Sequence, residues 1–446
     1  MEILSVYDLL LTPLYLVIII LLAVVYQKHK VRNQPEYKYF TIGLTVKIIG
    51  AIALGLVYNF YYSGGDTINY YQTAHAYSGL LAKNTGNFFW GWLGNPGLNS
   101  YLFFDDFLDY PVYWHRDPHS FFVVRLEIPI VILGCRTYFP SALLTAVICY
   151  SGSWKLFQVF CKEFPHLKKQ LAIATIFIPS VIFWGSGIMK DSFTLSAVGW
   201  YTYSFYNFFI QKRYRARFII QILVASFFII SIKPYIFFAI LPGSIIWLSN
   251  QQISKIKNKT FRFFAGPVLL SLGGLLAFAA LNYMGDYLGM YKVDSVLDRA
   301  VVVQKDMKAD YYGGNAFDIG EFDASIGGVS AKAPIAIASG LFRPSLLDVK
   351  NPMMLVSALE NTYLLILTLF LLIKLRIKGF FSSIGNNPIV LFSLIFSIFF
   401  AFSVGLSVAN FGSLVRLRIP ELPFFVASLY ILRDIYEKKS GTIVRF

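Results

Sequence analysis

Charge is scarce in this chain. Of its 446 residues only 14% are Asp, Glu, Lys or Arg, against about 25% in an ordinary soluble domain. That shortage excludes an ordinary water-soluble enzyme. Cysteine is scarcer still: Cys135, Cys149 and Cys161 have no metal-ligand spacing, and no disulfide framework can be read from them. The first apolar run also lacks a basic leader. Glu2 and Asp8 stand before it and no small-residue cleavage site follows, so it is expected to stay in place as a membrane span. Disorder is excluded by the opposite kind of evidence, since 57% of the residues are hydrophobic and 18% aromatic. One core cannot hide that much apolar area, so lipid must be the solvent for much of it.

The apolar residues come in blocks. A transmembrane helix needs about 20 mostly apolar residues. Windows of this kind run over Leu9–Tyr26, Tyr39–Phe60, Ser141–Phe160, Leu171–Ser186, Ser192–Ile210, Phe218–Ile232, Tyr235–Leu248, Phe264–Tyr283, Met353–Lys374, Ile389–Ala409 and Leu422–Leu432. They predict an all-α, polytopic transmembrane bundle of about eleven spans, one integral membrane domain over 1–446. Two long outer-face loops, 62–120 and 285–352, would cap it. The run Phe121–Cys135 is shorter and carries Arg125, Glu127 and Pro129, so it reads as an interfacial or re-entrant helix.

The net charge of +15, from 39 basic and 24 acidic residues, resembles a nucleic-acid footprint at first. Its distribution says otherwise. The connections 27–39, 161–170, 211–217, 250–262, 374–386 and 433–446 hold 22 basic residues and 4 acids. The two long loops hold 9 basic and 14 acidic residues. Basic connections mark the cytoplasmic side. The pattern places the N-terminus outside and the C-terminus in the cytoplasm, with the bilayer rather than nucleic acid as the partner. If Phe121–Cys135 spanned the membrane, everything after it would invert and this asymmetry would fail.

Polar residues grouped near one membrane face are functional candidates, and four groups fall on the predicted outer face. The first is GGDTINYYQTAHAY, Gly64–Tyr77, after the second span. Asp66 follows two glycines and precedes Tyr70 and His75. A carboxylate held at the lipid–water boundary suits a general base; it equally suits a helix cap. The second is FWGSGIMKDS, Phe183–Ser192. Lys190 opposes the charge trend and reads as a phosphate contact, whereas Asp191 also reads as a cap. Lys233, at the next outer turn, would add a second cation. The third is GLFRPSLLDVKNP with the following SALENTY, which holds Arg343, Glu360 and Asn361. Glu360 falls in an apolar run and needs a partner, so a structural ion pair is the competing account. The fourth, NFGSLVRLRIPELPFF, opens at Asn410 and carries Arg416 and Arg418, whose planar forks suit phosphate. The competing account there is snorkelling toward lipid headgroups.

The GGDTxxYY segment resembles two groups of proteins. One is the polytopic polysaccharide-repeat polymerases of the O-antigen and exopolysaccharide types. The other is the lipid-phosphosugar-dependent glycosyltransferases of the GT-C fold. In the second group an acidic residue in the first outer loop, often followed by a Tyr, serves as catalytic base, and Asp66 with Tyr70 is similar. The acidic loop here follows the second span, and Thr67 stands where a paired acid is common. In the polymerases, outer-face arginines handle lipid pyrophosphate. Arg416 and Arg418 look similar, as does the GIMKDS turn, with Lys190 where Arg is common.

The resemblance implies a bacterial inner-membrane enzyme of envelope or exopolysaccharide synthesis. It would act on a polyprenyl-(pyro)phosphate-linked sugar at the periplasmic face, beside other envelope-glycan enzymes. Asp66 would be catalytic. Lys190, Lys233, Arg343, Arg416 and Arg418 would bind phosphate, and Tyr70, His75, Asp191, Glu360 and Asn410 would support them. The lipid-linked donor is the only small molecule expected. Asp66 alone makes no metal site, so a divalent metal stays open. The alternatives are a transporter or flippase for lipid-linked saccharide, and a non-catalytic envelope assembly subunit.

Overall fold

A computed structural model describes residues 4–94, 114, 117–253, 316–323 and 325–441, with short stretches between 258 and 306. The predicted span Phe264–Tyr283 lies outside the described residues but for isolated positions, as does the aromatic stretch 95–113 of the first long loop. Among the described residues all regular structure is helical. The one β contact is an isolated antiparallel bridge between Ala316 and Asn410.

The helices are α1 Val6–Val31, α2 Phe40–Leu56, α3 Asp66–Lys83, α4 Thr85–Leu93, α5 Pro118–Leu133 and α6 Tyr138–Glu163. Next come α7 Lys168–Thr175, α8 Pro179–Trp184, α9 Lys190–Phe205, α10 Ala216–Ile232 and α11 Pro234–Ile253. The last are α12 Ile326–Phe342, α13 Pro352–Gly385, α14 Pro388–Ser407, α15 Phe411–Leu417 and α16 Leu422–Ser440.

Among the described residues, four helical stretches are long and apolar enough to cross a membrane: Val6–Val31, Pro35–Tyr61, Tyr138–Glu163 and Pro388–Ser407. Ala216–Ile232 and Pro234–Ser249 are apolar and shorter. The case for lipid is plainest at α1, where Leu9, Leu10, Leu21, Leu22 and Val25 are all exposed. A continuous apolar helix surface of this kind needs a hydrocarbon solvent.

The chain divides into two compact units. The first comprises Met1–Cys161, Val181–Tyr206 and Arg215–Lys233; the second comprises Lys162–Ser180, Asn207–Tyr214 and Pro234–Phe446. In the first, α3 packs on α5, and α9 on α10. Helix starts and ends are tied together there by polar side chains. Asp8, in a capping box with Ser5 at the start of α1, also accepts the Phe139 backbone N–H at the start of α6, at 2.9 Å. In the second unit α14 packs on α11, α12 and α16. α12 and α14 meet through small residues. A Cβ on Gly340 would meet the Ala401 backbone, and one on Gly405 would meet the Ala336 backbone. Two small-x-x-x-small pairs, Ala336/Gly340 and Ala401/Gly405, thus let α12 and α14 touch backbone to backbone.

Three differences from the sequence reading have local causes. The window Leu171–Ser186 is two short helices, α7 and α8, broken at 176–178. Pro179 supplies no N–H and disfavours helical backbone at Ile178. The first long loop contains α3, which is too polar for an apolar window to detect, and α4, which at nine residues is too short. The second long loop contains α12, whose Gly, Ala and Ser content lowers its hydropathy while favouring close packing. The ambiguous run is the single helix α5, entered through Asp117 as N-cap and Pro118 as first residue.

Candidate functional site

The polar residues of the first unit gather where several helices begin or end. Between α2 and α3 the chain turns through Ser63, Gly64 and Gly65, with φ of 53°, 146° and 116°. At Gly65 a side chain would also strike the Tyr58 ring, with a Cβ only 2.8 Å from it. Glycine is therefore required there on two counts. The turn delivers Asp66 as the first residue of α3, with Gly65 as an N-cap that makes no side-chain bond. Asp66 is thus not the cap that the simpler sequence reading offered. Its carboxylate sits, partly exposed, in a first turn whose dipole favours an anion.

One turn on, the buried Tyr70 ring stacks on Trp114, with ring centroids 5.0 Å apart. Its hydroxyl donates to Ser120 Oγ at 3.3 Å. Ser120 donates in turn to Asp117. Asp117 caps α5 by accepting the His119 N–H at 3.1 Å, and it receives Lys190 Nζ at 2.9 Å. A continuous polar path therefore runs from the α3 start to the GIMKDS turn. Burial raises the Asp117 carboxyl, but Lys190 and the Ser120 hydroxyl outweigh it and hold the group below the usual carboxylate range. The pair keeps contact with solvent, with side-chain exposures of 17% for Lys190 and 29% for Asp117. His119 Nδ1 lies 2.8 Å from the Ser231 carbonyl, which can only accept, so that nitrogen carries the proton.

Asp191 and Lys233 form a different kind of pair. Both are buried and joined by a salt bridge, with Asp191 in the first turn of α9 and Lys233 capping the end of α10. Each charge complements its helix dipole. The pair staples α9 to α10 and leaves Lys233 enclosed, not open to a phosphate. His75 is likewise not brought to Asp66. Nine residues along α3 separate them by roughly 13 Å and half a turn, and His75 leans on Tyr71 instead.

The remaining predicted residues collect in the second unit. Arg418 is fully buried. It donates to the carbonyls of Leu341 at 3.3 Å and Arg343 at 3.2 Å, bonds Asn361 Oδ1, and lies 3.6 Å from Glu360. Glu360 also accepts Ser180 N–H at 3.0 Å and Ser180 Oγ at 2.6 Å. Glu421, fully buried, lies in the same field. Arg418 therefore anchors the 341–343 backbone through its two terminal nitrogens, and its complete burial closes the fork to a phosphate. Arg343 pairs with Asp348 at 2.9 Å and lies over the Phe317 and Phe411 rings, 5.3 and 5.4 Å from their centroids. Asn410 caps α15 through Gly412 N–H at 2.9 Å and Ser413 N–H at 3.3 Å. Arg416, half-buried, lies in the last turn of α15.

The sequence reading missed Asp117, Ser120 and His119. Their signal was there: Asp-Pro-His-Ser before an apolar run is a helix start, with the acid as N-cap and proline at the first position. Among the described residues no three His, Cys, Asp or Glu side chains are grouped to hold a metal ion. Comparison of the chain with family models, curated proteins and solved structures finds no match.

Proposed function

We propose that this protein is a polytopic membrane glycosyltransferase or polysaccharide-repeat polymerase. Its donor is a sugar on a polyprenyl phosphate or pyrophosphate, used at the outer face of a bacterial inner membrane. The orientation, N-terminus outside and C-terminus in the cytoplasm across about eleven spans, follows from the charge distribution. The observation that carries the reading is the path Tyr70–Ser120–Asp117–Lys190, which starts one helical turn after Asp66 on α3 and ends at a solvent-reaching ammonium.

In this mechanism a sugar hydroxyl of the acceptor attacks the anomeric carbon of the donor. Its proton passes to the Asp66 carboxylate. The anomeric C–O bond to phosphate breaks with inversion. The leaving phosphate takes the electron pair, and Lys190 stabilises the charge that develops on it. Asp117 holds the ammonium in place until phosphate competes for it. Tyr70, stacked and hydrogen-bonded, positions the first turn of α3.

The test is complementation of a strain that lacks the protein. Wild-type protein restores glycan, while Asp66→Asn and Lys190→Ala accumulate lipid-linked precursor. Single accumulated repeat units identify a polymerase; a truncated glycan identifies a single-sugar transferase. Normal glycan in both variants overturns the proposal. Purified protein that moves labelled lipid without forming a glycosidic bond would establish a transporter instead.

A further inference from the structure

The first unit holds a cavity of about 640 Å3, within the size range of small-molecule sites. Its walls come from α5, α6, α9 and α10, and are almost wholly hydrocarbon: Leu126, Ile130, Ile148, Phe193, Val224 and Phe228 are typical. Of the polar side chains that reach it, Trp200, Ser151 and Gln221 are already engaged. Trp200 Nε1 donates to Ser151 at 2.9 Å, and Gln221 accepts from Ser204 at 3.0 Å. The cavity therefore offers an incoming molecule carbon surface along its length.

Its position relative to the charged cluster is the telling feature. Lys190 starts α9, and Phe193, less than a turn later, already lines the cavity; Trp200 lines it about 15 Å from Lys190 along the axis. On α10, Phe228 lies one turn before Ser231, the residue that holds His119. On α5, Asp117 caps the start and Leu126 to Leu133 line the wall. Three helices thus carry the Asp117–Lys190–His119 cluster at one end and the hydrocarbon groove along their length. A molecule matching both has an anionic head and a long apolar chain. At roughly 30 Å3 per methylene-sized group, the share of one water in the liquid, the cavity takes about twenty such groups, which is the stretch of one long chain nearest its head and less than the two full chains of a phospholipid.

We propose that this groove binds the hydrocarbon chain of a single-chain lipid phosphate whose head lies at Lys190. The idea rests on the preceding reading of the site and specifies where the donor's lipid is held. It makes Phe193, Ala197 and Val224 determinants of chain binding, with no part in the chemistry.

Photolabelling tests it. The probe is a polyprenyl monophosphate with a diazirine in its chain, added to the full-length protein in nanodiscs of phosphatidylethanolamine and phosphatidylglycerol. Label is expected on 126–133, 193–200 and 220–228. Ala197→Trp or Val224→Trp, each filling the groove from a different helix, should cut it by about tenfold, a loss of about 1.4 kcal/mol in binding. Each variant's unfolding midpoint is compared with wild type, so that loss of fold is not mistaken for loss of binding. Excess unlabelled polyprenyl phosphate should compete and excess phosphatidylglycerol should not. Label elsewhere, label unchanged in both folded variants, or equal displacement by phosphatidylglycerol overturns the proposal. Labelling needs no sugar transfer, so the two readings fail separately. If groove labelling persists while transfer proves independent of Asp66, the catalytic reading falls and the groove stands.

Discussion

Arg418→Met is the most informative single perturbation of the second unit. Arginine here is fully enclosed, with two bonds to backbone carbonyls, one to Asn361 and an ion pair with Glu360. Methionine fills similar space and supplies no donor. The Leu341 and Arg343 carbonyls and the Asn361 oxygen then lose a partner. Hydrogen bonds within membrane proteins are worth about 0.6 kcal/mol each on average, so these three contribute about 2 kcal/mol. Breaking a buried ion pair from one side typically costs about 3–5 kcal/mol. Glu360 keeps its two bonds from Ser180, which offsets part of that loss. The expected destabilisation is about 4–6 kcal/mol, read as a shift in equilibrium unfolding of the purified protein in mixed micelles. Arg418→Lys restores charge but not the fork, and should recover less than half. An Arg418→Met protein as stable as wild type would refute the anchoring role and return Arg418 to the phosphate-binding candidates.

Other consequences are separable from this one. Lys233→Met strands Asp191 inside the α9–α10 junction and should destabilise by about 3–5 kcal/mol; adding Asp191→Asn should recover much of the loss in the same unfolding assay. Gly340→Leu drives a side chain into the Ala401 backbone and should cost about 1–3 kcal/mol or more by overpacking, seen as a lowered unfolding midpoint. Asp117→Ala removes an N-cap and the Lys190 partner, for a loss of about 1–2 kcal/mol at neutral pH. The Asp117 carboxyl is held low in the folded protein, so its ionic contribution is complete above the ordinary carboxylate value of 3.8 and is lost as pH falls through the lower folded value. The gap between wild type and Asp117→Ala should therefore narrow on acidification below that ordinary value.

Among the described residues, helices were legible where apolarity was continuous. Leu9–Tyr26, Ser141–Phe160 and Ile389–Ala409 all lie within or along α1, α6 and α14. Apolarity averaged over a window hides a local break, which is why Ile178-Pro179 went unread within Leu171–Ser186. It also hides helices made of small or mixed residues. In α12 the Ala336 and Gly340 spacing was visible, but only its match to Ala401 and Gly405 gives it meaning, and that match is tertiary. At the site, Asp66, Tyr70, Lys190, Asp191 and Lys233 were found as isolated oddities. Tyr70 and Lys190 are joined through Ser120 and Asp117, and Asp191 to Lys233 directly; both links required folding of the first unit, because 73 residues separate Asp117 from Lys190 and 42 separate Asp191 from Lys233. Sequence treated all outer cations alike. The structure separates Lys190, which reaches solvent, from Lys233 and Arg418, which are enclosed by their partners.

The central claim is that Asp66 takes the acceptor proton during sugar transfer. Its most direct test is the transfer rate of purified protein in proteoliposomes with a polyprenyl-pyrophosphate-linked saccharide, comparing wild type, Asp66→Glu and Asp66→Asn. General-base assistance is worth about 10²–10⁴ in rate. Asp66→Asn should therefore fall at least about a hundredfold while Asp66→Glu retains measurable transfer. An Asp66→Asn protein that forms glycosidic bonds at the wild-type rate would contradict the account.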